Sequence, residues 1–162
     1  MKPQSILQQE RSNVDVSEVS DTDIMAEWVK RFTINAGESI RSAKEAADHL
    51  RSYFSDASKK ERFVVIFLNG QHQLLTTEVL FEGSLTNSAV YPREVITRVI
   101  ELGSAAVILA HNHPSSCTTP SSSDRAVTKK LQTALEAIDV ELLDHFIIGG
   151  NEHFSFSEHR LL

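Results

Sequence analysis

Apolar residues change their spacing repeatedly along this chain, and each change marks an element. Residues 1–20 are polar with little periodicity and predict a disordered arm. From Asp21, the residues Ile24, Trp28, Val29 and Phe32 share a helical face, predicting a short helix that Gly37 ends and that covers an edge of the core. A second helix is expected from about Ser42 to Phe54, with Ala43, Ala46, Ala47, Leu50 and Phe54 on one side and Ser42 and Glu45 at capping-box spacing. After a charged connection, residues 61–69 are rich in β-branched and aromatic side chains. Asn69-Gly70 is a strong turn signal and residues 73–81 resume as a strand, so a β-hairpin opens the core.

Pro92 suits a first helical turn, and Val95, Ile96, Val99, Ile100 and Leu102 carry a helix to Gly103. The apolar run Ala105–Ala110 reads as a strand buried on both faces. A loop of Ser, Thr and Pro follows over 111–120. Next comes a helix over about 122–138 with Val127, Leu131, Leu135 and Ile138 inward, a strand over 140–148, a Gly149-Gly150-Asn151 turn and a last short strand near 153–157. This order predicts an α/β fold, a mixed sheet covered by helices. The domain plan is an arm over 1–20, a helical extension over 21–38 and one domain over 39–162. The loop after the buried strand is where such folds place ligands.

Composition narrows the setting. One cysteine among 162 residues excludes an internal disulfide framework and any four-cysteine zinc module. No apolar run approaches the roughly 20 residues of a membrane span, and the N-terminus lacks a signal-peptide core, so a cytoplasmic protein without membrane association is expected. With 22 acidic against 16 basic residues the formal charge is −6, which argues against tight nonspecific nucleic-acid binding but leaves room for a local basic patch.

The chemistry gathers in the loop. His111 and His113 are two apart, so on an extended chain both rings project to one side, roughly 6–7 Å apart along the strand. They can share a zinc ion, for which Asp124 in the next helix is the natural third ligand. A bare H-x-H reads equally as a polar strand end. Ser121-x-x-Asp124 is equally a helix cap. Two histidines, a proline-punctuated loop and a capped carboxylate at one strand-to-helix switch favour the metal reading.

H-x-H, seven residues, then S-x-x-D matches the JAMM metalloprotease motif at His111, His113, Ser121 and Asp124. The wider chain resembles the RadC family, whose domain is of the JAB1/MPN type and similar to that of cytidine deaminases. Besides the residues from Val107 to Ser115 around the histidines, the similar segments are Phe63–Asn69, Leu80-Phe81-x-Gly83, Pro92–Val95, Leu143–Gly149 and Ser155–Glu158. The resemblance spans about 40–162. It implies a zinc-dependent hydrolase acting on a peptide or isopeptide bond of a protein substrate, with Glu61 as general base and acid and Ser121 as oxyanion donor. Glu78 and Glu82 stand in reserve.

Two positions depart from the family pattern. Ser116 replaces a usual glycine, which matters if that backbone needs positive φ, and Tyr91 stands where a histidine is usual. The chain also leaves no room for the helix-hairpin-helix region of longer relatives, which weakens DNA association. The alternative function is a non-catalytic, metal-binding accessory protein in DNA repair or recombination. Metal-dependent nucleotide processing is weaker still, because the cysteine-pair ligands of deaminases are missing.

Cys117 could add a thiolate, although a lone loop cysteine is more often incidental. Asp144-His145 could form a supporting carboxylate or polar wall, against the commoner case of a satisfied strand histidine. His49, His72, His153 and His159 read as surface residues. The face around Trp28 and Phe32 could build a homodimer.

Overall fold

Alternation in the first strand sorts the whole molecule into two layers. In β1 (Glu61–Leu68) the side chains of Val64, Ile66 and Leu68 join one apolar cluster and those of Phe63, Val65 and Phe67 another, because successive strand residues face opposite sides. This computed structural model describes residues 17, 19–55, 60–83 and 92–162. The remaining elements are α1 (Asp21–Phe32), α2 (Ala43–Arg51), β2 (Leu74–Gly83), α3 (Pro92–Leu102), β3 (Ala106–Asn112), α4 (Ser122–Glu136), β4 (Glu141–Gly149) and β5 (Glu152–Ser155).

The strands form one mixed five-stranded sheet in the order β2-β1-β3-β4-β5. Only the β3–β4 pair is parallel, and α4 makes its crossover. On one face α2 contributes Ala46, Ala47 and Leu50. On the other, α3 contributes Val95 and Val99, and α4 contributes Leu131 and Leu135. The expected α/β architecture is therefore present, with helices on both faces.

Several local expectations need correction. The first helix ends at Phe32, ahead of Gly37, which lies in a later turn with φ +89. None of its residues is buried; Trp28 attaches it to α2 by donating its indole N–H to the Asp48 carbonyl at 3.1 Å. The second helix is shorter than expected, ending at Arg51. Ile138 lies past the end of α4 and is exposed, because Asp139 at φ +57 turns the chain toward β4. His49, expected at the surface, is only 1% exposed: its Nδ1 accepts the Ile34 amide at 3.0 Å and its Nε2 donates to the Thr77 hydroxyl at 2.8 Å. Burial pushes its pKa down to about 4. The arm over 1–20, apart from Ser17, Val19 and Ser20, lies outside the described residues, as does Tyr91. No helix among the described residues is long and apolar enough to cross a membrane.

Candidate metal centre

β3 runs into its terminal pair His111-Asn112 still hydrogen-bonded on both sides, to β1 through Phe63↔His111 and to β4 through Asn112↔Ile148. The Asn112 side chain extends the β1 pairing by accepting the Arg62 amide at 2.7 Å and donating to the Lys60 carbonyl at 3.1 Å. His111 is thus held on rigid backbone on the α4 side of the sheet. His113, just beyond, is fixed by its loop, its Nδ1 donating to the Cys117 carbonyl at 2.7 Å. Cys117 therefore meets the site through its backbone, and its exposed thiol is not part of the donor group.

Asp124 arrives from the first turn of α4. Ser121 is the N-cap: its Oγ accepts the Asp124 amide at 3.1 Å, while Asp124 Oδ2 accepts from the Ser121 amide and hydroxyl, each at 2.7 Å. Burial alone raises the carboxyl pKa, but the hydrogen bonds it accepts from the Ser121 hydroxyl and amide act against this and help hold the group below the usual carboxylate range. The capping reading and the ligand reading of Ser121-x-x-Asp124 thus describe one geometry.

The three side chains converge. Nε2 of His111 lies 3.1 Å from Nε2 of His113, Asp124 Oδ1 is 3.2 Å from the first and Asp124 Oδ2 is 3.2 Å from the second. A carbonyl can only accept, so the Nδ1 of His113 carries its proton and its Nε2 presents a lone pair to the ionised carboxylate. Acceptors turned toward one another at this range call for a cation between them. Donor atoms held about 2.0–2.1 Å from a tetrahedral zinc stand about 3.3 Å apart, close to the separations found, and two imidazoles with one carboxylate are a zinc-type donor set. The residues present therefore fit a divalent metal.

Around the donors, the structure decides between sequence alternatives. His145 is fully buried on β4, and its Nε2 lies 2.8 Å from Nδ1 of His111. Its other nitrogen is 2.6 Å from the Thr128 hydroxyl, itself 2.6 Å from the Asp124 carbonyl oxygen. Burial, followed by the neighbouring His111, pushes the His145 pKa well down, so the ring is neutral. Asp144 does not support the donors. It accepts from the His145 and Ser157 amides at 2.7 and 3.0 Å and from the Ser155 hydroxyl at 2.6 Å, locking β4 to the C-terminal segment. Sequence reasoning passed over Thr128; the available signal was a hydroxyl one helical turn after Asp124.

Of the glutamates, Glu78 is engaged by Arg98 of α3, whose Nε donates to it at 2.8 Å. Glu82 is paired with Lys60 and Arg62 at 3.1 and 3.0 Å. Glu61 starts β1 two residues before Phe63, the partner of His111, so strand alternation puts it on the His111 face at the same sheet end. A cleft of about 530 Å³ lined by Trp28, Phe54 and Ile148 meets the donor group at His113.

The fold and donor group together define an α/β domain that carries a candidate metal site at the carboxyl end of its central strand. The chain belongs to the RadC-like JAB domain family, whose profile matches residues 40–161. It is 44% identical over 132 residues to UPF0758 protein YfjY of Escherichia coli (strain K12), covering 82% of each chain. To UPF0758 protein VP0184 of Vibrio parahaemolyticus it is 43% identical over 126 residues, 78% of this chain but 56% of that one. Against several of these relatives, the chain thus spans little more than half their length. JAB domains often bind zinc, and membership supports a metal-dependent, hydrolase-like role.

Proposed function

We propose that this domain is a zinc-dependent hydrolase of the JAMM type that cleaves an amide, a peptide or isopeptide bond, in a protein substrate. The observation that carries the reading is the convergence of two imidazole nitrogens and an ionised carboxylate, 3.1–3.2 Å apart, with the proton of His113 committed to the Cys117 carbonyl. His111, His113 and Asp124 would hold the ion, and three protein donors leave a coordination position for solvent, as in hydrolytic rather than structural sites. The ion supplies Lewis acidity, bringing the pKa of a water toward neutrality.

Glu61, on the same face and sheet end as His111, takes the proton from the attacking water and passes it to the leaving amine. Ser121 sits at the mouth of the donor group. Its hydroxyl proton, directed at Asp124 Oδ2 in this structure, turns to the substrate carbonyl oxygen as negative charge develops there. The acidic balance of the chain, formally −6, favours a protein over bare nucleic acid as substrate.

The test is metal analysis of protein purified without a histidine tag, followed by turnover on peptide and isopeptide libraries. Near one zinc per chain is expected, falling in Asp124→Ala. Glu61→Gln should keep the zinc and lose at least 100-fold in turnover. A chain without zinc overturns the metal reading. Zinc with no turnover overturns the hydrolase reading in favour of a metal-binding accessory protein.

A further inference from the structure

Three hydrogen bonds in series join His111 to the backbone of the helix that delivers Asp124, and only one arrangement of their protons satisfies all of them. The series runs from His111 Nδ1 to His145 Nε2 at 2.8 Å, from His145 Nδ1 to Thr128 Oγ1 at 2.6 Å, and from Thr128 Oγ1 to the Asp124 carbonyl oxygen at 2.6 Å. The last acceptor is a carbonyl, so the Thr128 hydroxyl proton must lie between the two oxygens. Turned toward His145 instead, it would leave two oxygen lone pairs facing across 2.6 Å.

With that proton placed, Thr128 Oγ1 can only accept, so His145 carries its hydrogen on Nδ1. Its Nε2 is then an acceptor, and His111 must donate from Nδ1. The Nε2 of His111 is left with a lone pair aimed at His113 and Asp124. His145 cannot escape by taking a second proton or by turning. It is 0% exposed, stacks on Phe156 at 4.9 Å between ring centres and meets the edge of Phe63 at 5.8 Å.

We propose that Thr128 and His145 are positioning residues that fix the tautomer of His111, presenting its Nε2 lone pair to the metal. The proposal rests on the metal reading above and extends it to two residues that touch neither ion nor substrate. His113 reaches the same tautomer through a backbone carbonyl alone. The two ligands are thus set by different means, and only that of His111 responds to a side-chain change at 128. The series also ties His111, at a strand end, to the helix that carries Asp124, so two donors from different elements are set in mutual register.

The experiment compares the full-length protein with Thr128→Val, which removes the hydroxyl at nearly constant shape, and Thr128→Ser, which restores it. Zinc affinity is read by competition with a chromophoric chelator, and the histidine tautomers by nitrogen chemical shifts. In the unmodified protein both His145 and His111 should be protonated on Nδ1. In Thr128→Val, His145 should move its proton to Nε2, driving His111 to the wrong tautomer, and zinc affinity should fall 10- to 100-fold. Thr128→Ser should return within about threefold of the parent and regain its tautomers.

A role in packing alone predicts no tautomer change and no rescue by serine. Protonation of His145 on Nε2 in the unmodified protein overturns the proposal without any variant, which keeps it testable should Thr128→Val not fold. If the unmodified protein binds zinc and Thr128→Val binds it equally well, the positioning role fails while the metal site stands. If the unmodified protein binds none, the metal reading fails first.

Discussion

Gly149 closes β4 directly beneath the metal loop, and replacing it with alanine tests how tightly that loop sets the site. An added Cβ would stand 2.3 Å from the Ser116 carbonyl oxygen, 2.8 Å from Thr118 Cγ2 and 3.0 Å from the Ser116 carbonyl carbon. Two of those partners are backbone atoms that no rotamer change can remove. The loop must retreat by roughly 1 Å to restore ordinary contact distances.

The next residue, Cys117, supplies the carbonyl that holds His113 Nδ1 at 2.7 Å, and a retreat of that size stretches the bond beyond useful range. Overpacking of this kind costs about 1–3 kcal/mol, and the reduced freedom of the unfolded alanine chain returns about 0.4–1 kcal/mol. The steric cost wins. Gly149→Ala should lower Tm by about 3–6 °C and zinc affinity by about tenfold. Gly150→Ala is the control. Its glycine has φ +55 with nothing within 4 Å of the new Cβ, so it should lose stability through backbone strain and keep its zinc affinity. Thermal unfolding and chelator competition on the three proteins decide the matter. A Gly149→Ala protein with Tm within about 1 °C of the parent and unchanged affinity would refute the reasoning.

Two further outcomes follow from the same structure. Ser116 has φ +57, a left-handed backbone conformation that favours glycine, so Ser116→Gly should relieve strain and raise Tm by about 2 °C in a thermal melt; an unchanged or lower Tm would count against it. Stability should also fall with acid. His49 takes up a proton near 6.5 when unfolded but only at about 4 when folded, so the unfolded chain binds the extra proton between those values. The stabilisation is complete above pH 6.5 and is lost at up to about 1.4 kcal/mol per pH unit as pH falls toward 4, where the folded ring protonates. Urea unfolding at several pH values should show a slope that His49→Gln reduces, and an NMR titration of the His49 ring near 6.5 would contradict it.

Much of the fold was legible because local physics decides it. The Asn69-Gly70 turn, the apolar run of β3 and the Ser121–Asp124 cap each rest on residues within a few positions of one another, and all appear close to where the pattern places them. The meeting of His111, His113 and Asp124 is legible for a similar reason: thirteen positions or fewer separate them, across one strand end and one capped helix start. The positive φ at Ser116 was likewise foreseeable as a local backbone question, since it concerns one residue's torsion.

Tertiary structure decided what depends on side chains far apart in sequence. The periodicity of α2 alone does not bury His49; its hydrogen-bond partners Ile34 and Thr77 come from the segment after α1 and from β2. Among three glutamates near the sheet, the family resemblance already favoured Glu61 over Glu78 and Glu82, and the structure adds their surroundings. Arg98, Lys60 and Arg62 engage two of them, and strand alternation carries Glu61 to the His111 face. His145 follows Asp144 in an otherwise largely apolar strand, 34 positions from His111, and its partner Thr128 is 17 positions away. Hydrogen-bond direction is a property of the assembled network, since each proton's place depends on the next acceptor. The chain's own pattern therefore picked out the side chains that meet at the candidate metal site, and only their packing bears on which nitrogen each histidine presents.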